Sequence, residues 1–204
     1  RVWNLHNNTF EKFTVNAGIE KHYTDHELEL EEYILYAGMV QSLMLQYSLE
    51  SIRFKTFCGG GLFWMYNDCW GEVGWTIIDY YLRRKISFYG VKRAFEPVKL
   101  ILRQRDGKII VMGCNDTGDD ISIDLRVGWV TFDGTEDDSQ VVPVTLPANS
   151  RTVLYTLEQA DHDIYTGVYY ARADNGCISP GILRAADTRS LKLCPPKPPK
   201  LSIM

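Results

Sequence analysis

A chain of 204 residues has room for one large domain or two small ones, and its 45% hydrophobic and 24% charged residues are ordinary for a globular protein. The net charge is −4 with no clustered run of Lys and Arg, which excludes the electrostatic footprint of a nucleic-acid binder, and no apolar run approaches the ~20 residues that a membrane span requires. The opening residues RVWNLHNNTF have neither the basic start nor the apolar stretch of a secretion signal, and they read as the edge of a cut chain.

Residues 1–24 carry Asn and Thr clusters without a sustained period, which predicts irregular chain. Thr24-Asp25-His26-Glu27 has the pattern of a capping box, with the Thr24 hydroxyl accepting from the Glu27 amide. Apolar Leu30, Tyr33, Ile34, Ala37, Val40, Met44 and Tyr47 then recur at three- and four-residue steps. That spacing predicts a helix with one buried stripe, ending near residues 53–55. Gly59-Gly60-Gly61 breaks the chain, and the uncharged, aromatic-rich residues 62–66 predict a strand buried on both faces, as in a parallel sheet. Asn67-Asp68-Cys69-Trp70-Gly71 reads as a loop. A second helix is expected over about 80–94, with a solvated basic face from Arg83, Arg84, Lys85, Lys92 and Arg93. Helix, buried strand, loop, helix is the local grammar of an α/β protein.

After Pro97 the period changes. Residues 98–104 and 108–113 flank Asp106-Gly107, a strong hairpin signal. Residues 121–127 alternate strictly, so one face is expected buried and the other wet. Further strands are expected at 128–132, 140–146, 151–156 and 164–173, separated by turn clusters, the pattern of an antiparallel sandwich. The run Pro195-Pro196-Lys197-Pro198-Pro199 is linker-like, and residues 201–204 are a candidate further strand. The five cysteines (Cys58, Cys69, Cys114, Cys177, Cys194) are odd in number and contain no C-x-x-C pair. They do not support a zinc site, and buried free thiols are favoured over one disulfide. His22 and His26 lack a third ligand in the sequence, and the triple glycine precedes a strand with no Lys-Ser/Thr after it, so neither a metal site nor a phosphate loop is supported.

The informative segment is GGLFWMYNDCWGEVGWTIID, residues 60–79. If residues 62–66 form a barrel strand, then Asn67, Asp68 and Trp70 stand at its C-terminal end, where such barrels carry their active sites. Flat aromatic walls with a few placed polar groups suit a sugar pocket. The bland reading, with Trp64 in a core and Asn67-Asp68 in a turn, is favoured by pattern alone.

Residues 61–95 resemble the last barrel strand and following segment of family 2 glycoside hydrolases, nearest to the β-mannosidase branch. That branch runs like Trp-Gln-Leu-Asn-Asp-Cys-Trp-Pro, then Trp-Ser-Ser-Ile-Asp-Tyr-Tyr. Trp64, Asn67, Asp68, Cys69, Trp70, Trp75, Ile78, Asp79, Tyr80, Tyr81, Lys85 and Pro97 stand in register with it, and residues 36–43 (YAGMVQSL) fit the preceding helix. Met65 replaces the usual Gln and Gly71 the usual Pro, which puts the identity of the sugar in question. The resemblance implies an α+β multidomain fold. Residues 1–97 would be the C-terminal portion of a TIM (β/α) barrel, 98–190 an immunoglobulin-like antiparallel β-sandwich, and 191–204 a Pro-rich linker or the start of a further domain.

By the same resemblance the parent is a retaining, exo-acting β-glycosidase for terminal β-mannosides, with Trp64, Asn67, Asp68 and Trp70 as substrate-binding residues. Its acid/base and nucleophile glutamates lie upstream. Glu27, Glu29, Glu31 and Glu32 read as solvated and Glu72 has no evident partner carboxylate, so no catalytic residue is assigned to this chain and it is expected to be inactive alone. Neither cofactor nor metal is implied. The expected partners are a β-linked sugar, the remainder of the barrel and a second copy of the chain, and a periplasmic, secreted or lysosomal parent is expected. The alternatives are a related β-galactosidase or β-glucuronidase, or a carbohydrate-binding or buttressing sandwich without catalysis.

Overall fold

The computed structural model describes residues 6, 9–71 and 74–195. Glu72, the residues after Pro195 and the candidate strand at 201–204 lie outside the described residues. Within them, three helices precede seven strands: α1 (Thr9–His22), α2 (Leu30–Phe54), α3 (Ile86–Ala94), β1 (Val98–Arg105), β2 (Lys108–Asn115), β3 (Ile121–Thr131), β4 (Glu136–Leu146), β5 (Ser150–Glu158), β6 (Gly167–Ala173) and β7 (Gly181–Leu183). No helix among the described residues is long and apolar enough to cross a membrane.

Where irregular chain was expected, α1 forms. Its sequence has almost no amphipathic period, so it is stabilised by what it meets rather than by its own pattern. Gly18 lets it approach α2 closely, since a Cβ there would lie 2.5 Å from Val40 Cγ1. The capping box is also displaced. Thr24 helps close α1, its N–H donating to Ile19 O at 3.1 Å, while its hydroxyl accepts the His26 N–H. The cap of α2 is Glu29, whose N–H donates to Glu32 Oε2 at 3.2 Å.

The face of α2 that is buried is not the expected stripe. Val40 is fully buried, but Leu30, Ile34, Met44 and Tyr47 are exposed, and the buried residues are Val40, Ser42, Leu49, Arg53 and Phe54. Small residues decide this. A Cβ on Gly90 of α3 would lie 2.8 Å from the Ser42 carbonyl oxygen, so α3 packs on the Ser42 face of α2. Helix α3 starts at Ile86, not near residue 80. Leu82 has φ +62°, and Asp79 Oδ1 accepts the N–H groups of Tyr81 and Arg83, so residues 79–83 form a turn that helix cannot continue through.

Residues 62–66 are neither strand nor buried, contrary to expectation. Leu62, Trp64 and Tyr66 are exposed. A central strand of a parallel sheet needs a neighbour at each edge, and among the described residues one edge alone is met. Tyr66 O accepts the N–H groups of Ile77 and Ile78, Asp68 N–H donates to Ile78 O, and the result is an isolated parallel bridge between Asn67 and Ile78. Beneath it a small core joins Leu49, Ile77, Val91 and Ala94 with Leu45, Phe63 and Phe88.

The β region folds as expected, into two antiparallel sheets ordered β1-β2-β5 and β4-β3-β6-β7. Asp106 and Gly107, both at positive φ, make the tight β1–β2 turn. Along β3, Ile123, Leu125 and Val127 point inward against Leu100, Leu102, Ile109 and Val111 of the other sheet, while Asp124 lies outward. The two runs expected at 121–127 and 128–132 are one strand with a bulge, because Gly128 faces two residues of β4. A Cβ on Gly128 would sit 2.9 Å from Ser139 Cα. The run at 164–173 yields a strand only from Gly167, since Thr166 N–H turns back to Asp163 O. Strand β7 was not foreseen, and at three residues it is too short to show a period.

The outer face of β1–β2 is covered too. Ile101, Met112 and Cys114 pack on Phe54 at the end of α2. Arg53 crosses the same junction almost buried, donating to Ala94 O at 2.6 Å, Glu96 O at 2.8 Å and Asp116 Oδ2 at 2.8 Å. All five cysteines are free, but only Cys114 is buried; Cys69, Cys177 and Cys194 are exposed and Cys58 is half-buried. Desolvation pushes the Cys114 thiol pKa up and keeps it inert.

Candidate functional site

The loop after Phe63 is held from behind by a buried polar cluster. Thr76 is fully buried and donates its hydroxyl to Asp68 Oδ2 at 2.8 Å. Lys85 Nζ donates to Thr76 Oγ1 at 2.7 Å and to Gly74 O at 3.2 Å, and stands 3.6 Å from Asp68 Oδ2. From α2, Gln41 Nε2 donates to Gly74 O at 3.0 Å and Thr76 O at 3.2 Å. A buried carboxylate is tolerated only with such compensation, and here one ammonium and one hydroxyl supply it. Lys85, expected on a solvated face, therefore belongs to this cluster, while Arg83, Arg84, Lys92 and Arg93 are exposed as expected. Its place at the N-cap of α3 gave no signal of the difference.

The structure gives the four residues singled out in the sequence different surroundings. Trp64 is 72% exposed and, with Met44, Leu45, Trp75, Thr14 and Val15, borders an apolar cavity of about 190 Å³. Its peptide bond to Met65 is cis. Trp70 is exposed and stacked on His6, with ring centroids 5.1 Å apart, and the His6 ring meets Gly71 O. Asn67 is exposed and donates to Asp68 O at 3.4 Å. Asp68 faces inward, with its Oδ2 engaged by Thr76 and Lys85.

Asp79 shapes the far side of the loop. Desolvation raises its pKa, but the Arg83 N–H and guanidinium and the Tyr81 N–H together hold it below the usual carboxylate range. Exposed indoles such as those of Trp64 and Trp70 can stack on a flat-faced ligand. They cannot by themselves supply an acid and a nucleophile. Glu27, Glu29, Glu31 and Glu32 are exposed around the start of α2, as expected.

Comparison with known proteins agrees with the family read from residues 61–95. Residues 107–177 match the family model of the Mannosidase Ig/CBM-like domain. The chain is similar to β-mannosidase B of Aspergillus terreus, 36% identical over 80 residues, which is 37% of this chain and 10% of that protein. It is 32% identical over 109 residues to β-mannosidase B of Thermothelomyces thermophilus, covering 45% of this chain and 13% of that one. Among solved structures, the β-D-mannosidase of Dictyoglomus thermophilum superposes with a TM-score of 0.82 and 33% identity over 88% of this chain and 22% of that one. The exo-chitosanase of Amycolatopsis orientalis matches at TM-score 0.67 and 20% identity over 83% of this chain and 21% of its own, which is a likeness of fold. The matched part amounts to about a tenth of the curated relatives' length. These similarities bear out the resemblance to family 2 β-mannosidases.

Proposed function

We propose that this chain is part of a retaining, exo-acting β-glycosidase that hydrolyses terminal β-mannosides. The likeness to the Dictyoglomus thermophilum β-D-mannosidase, sustained over 88% of the chain at 33% identity, carries the reading. In it, residues 1–97 contribute the last segment of a (β/α) barrel, 98–190 the immunoglobulin-like sandwich behind it, and 191–204 a linker onward. The exposure of Leu62, Trp64 and Tyr66 supports this division, because a barrel strand stripped of its neighbours leaves such residues bare. Trp64 forms an apolar wall of the sugar pocket, Asn67 and Trp70 hold the adjoining rim, and Asp68 acts from beneath by fixing the loop to Thr76 and Lys85. The catalytic glutamates belong to the rest of the parent barrel, and no cofactor enters the reaction.

An assay of the full reading frame and of this chain side by side, with an activated aryl β-mannoside, tests the proposal. Turnover is expected from the parent and background rate from the chain. A parent that cleaves aryl β-galactosides or β-glucuronides but not β-mannosides would overturn the substrate. Turnover by this chain that survives repurification would overturn the assignment of the catalytic carboxylates. In the parent, Trp64→Phe is expected to lower kcat/KM with little change in melting temperature, whereas activity that merely tracks the folded fraction would return Trp64 to the core.

A further inference from the structure

Away from the aromatic loop, the sandwich brings three metal-ligating groups together. Asp137 and Asp138 lie at the start of β4, at the bulge opposite Gly128, and His162 lies in the connection between β5 and β6. One ligand atom from each of the three falls within 4.8 Å of the others. His162 Nε2 stands 3.3 Å from Asp138 Oδ2. We infer that Asp137, Asp138 and His162 form a binding site for a first-row divalent cation that ties the β5–β6 connection to the bulge of β4.

Two features support this beyond proximity. The first is how the imidazole is held. Its ring is stacked on Trp129 with centroids 4.7 Å apart and planes 10° apart, Tyr169 meets its edge, and its side chain is only 12% exposed. A ring fixed this way loses little freedom on taking a metal, and Nε2 already faces the Asp138 carboxylate. The second is charge. The nearby guanidinium groups are taken, Arg126 by Asp174 and Arg172 by Glu136. Among the described residues, the ion pair of Asp138 is with His162, which carries charge only when protonated. Two adjacent carboxylates thus stand beside one imidazole, Asp137 Oδ1 accepting, among the described residues, only the Asp138 backbone N–H at 2.9 Å, a deficit of positive charge that a dication would cancel.

The donor set names the class of ion. One imidazole nitrogen with two carboxylate oxygens suits zinc or manganese better than calcium, which takes oxygen ligands throughout. Tetrahedral zinc places neighbouring ligands roughly 3.3–3.5 Å apart, so no pair need close by more than about 1.5 Å, and both aspartates are exposed enough to rotate. Water would complete the coordination. The sequence concealed the set because its ligands come from distant segments and show no ligand spacing.

Zinc titration of this chain by calorimetry tests the site. The exposed cysteines are alkylated first, because thiolates at Cys69, Cys177 and Cys194 would bind the metal themselves. One saturable equivalent is expected. Asp138→Asn, an exposed and nearly isosteric change, and His162→Gln should each weaken affinity roughly tenfold or more. His26→Ala, at an exposed histidine elsewhere, should leave it unchanged. No saturable heat overturns the proposal. So does binding that survives both Asp138→Asn and His162→Gln, or that disappears in His26→Ala, since each places the metal elsewhere.

Discussion

The sandwich and the helical region treat their hydrophobic residues in opposite ways. In the sandwich, Leu100, Leu125, Val127 and Leu146 are almost wholly shielded, and both sheets contribute to one core. In the helical region, Leu30, Ile34, Tyr47, Leu62, Trp64, Tyr66, Tyr81 and Leu82 lie open. Burying both kinds of residue would be favourable at about 25 cal/mol per Å², so the difference is one of available partners. An antiparallel sandwich finds its partners within its own short connections. On the proposed reading the helical region is a barrel segment, which would find them on strands and helices far away in sequence. The open residues should therefore bind a hydrophobic dye and drive concentration-dependent association of this chain, readable by light scattering.

The largest effect expected from a single change lies in the sandwich. Leu125→Ala removes a fully buried side chain between the sheets, and should cost about 2–5 kcal/mol in urea unfolding. A cost under about 1 kcal/mol would mean that the sandwich core is looser than its burial indicates, and the contrast between the regions would fail.

The junction comes next. Arg53→Met keeps volume but removes the donors to Ala94 O, Glu96 O and Asp116. The buried Ala94 carbonyl loses its Arg53 donor, at about 1–3 kcal/mol, while Asp116, half-exposed and also beside Arg151, loses less. The sharper reading is the shape of the transition. The helical region has little core of its own, so loosening this tie should let it melt before the sandwich, giving two steps in place of one. A single step at a lower temperature would show that Phe54 against Ile101 and Met112 suffices to couple them.

Acid should produce a smaller effect, within the sandwich. The bidentate pair of Arg126 with Asp174, at 2.8 and 2.9 Å, holds the Asp174 pKa below its ordinary value, chiefly through the side-chain hydrogen bonds. A carboxylate with a depressed folded pKa contributes stability above its unfolded pKa of roughly 4, and that contribution is lost as pH falls through the folded value. Asp174→Asn should therefore lower the melting temperature at neutral pH and narrow the gap to the unaltered chain below about pH 4. A gap that stays constant across the carboxylate range would show that the pair adds nothing through charge.

How much could be read in advance follows the same division. Alternation at Ile121–Val127 and the Asp106-Gly107 turn are local signals; they place the hairpin within a residue or two and the start of β3 at its first residue, while the bulge at Gly128 hid that the next run continues the same strand. The stripe on α2 was read with the right period but the wrong face, because Ser42 and Gly90, not the largest residues, set where α3 packs. At the candidate site the aromatic residues announced themselves, whereas Lys85 did not. A lysine at a helix start looks the same whether it meets water or a carboxylate seventeen positions earlier, and only the fold brings Asp68 to it.

The smallest expected effect is the most direct test of the comparison. Leu62 is fully exposed, and its backbone belongs to neither helix nor strand. Leu62→Ser should change the stability of this chain by no more than about 0.5 kcal/mol, as for an ordinary surface position. It removes apolar area that water already covers, so there is no transfer energy to lose. The same substitution in the full-length parent should behave differently if residues 62–66 are a barrel strand there. Leu62 would then exchange water for neighbouring strands, and a serine hydroxyl in its place would be buried without an arranged partner, costing roughly 1–3 kcal/mol beyond the lost apolar contact. Melting both proteins with and without the change gives a double difference that is free of the intrinsic propensities of Leu and Ser. A large cost in the parent with almost none here would mean that the bare residues are contact surface for the rest of the barrel. Equal, small costs in both would mean that Leu62 faces water in the parent as well, and the segment would have to be placed outside the barrel wall.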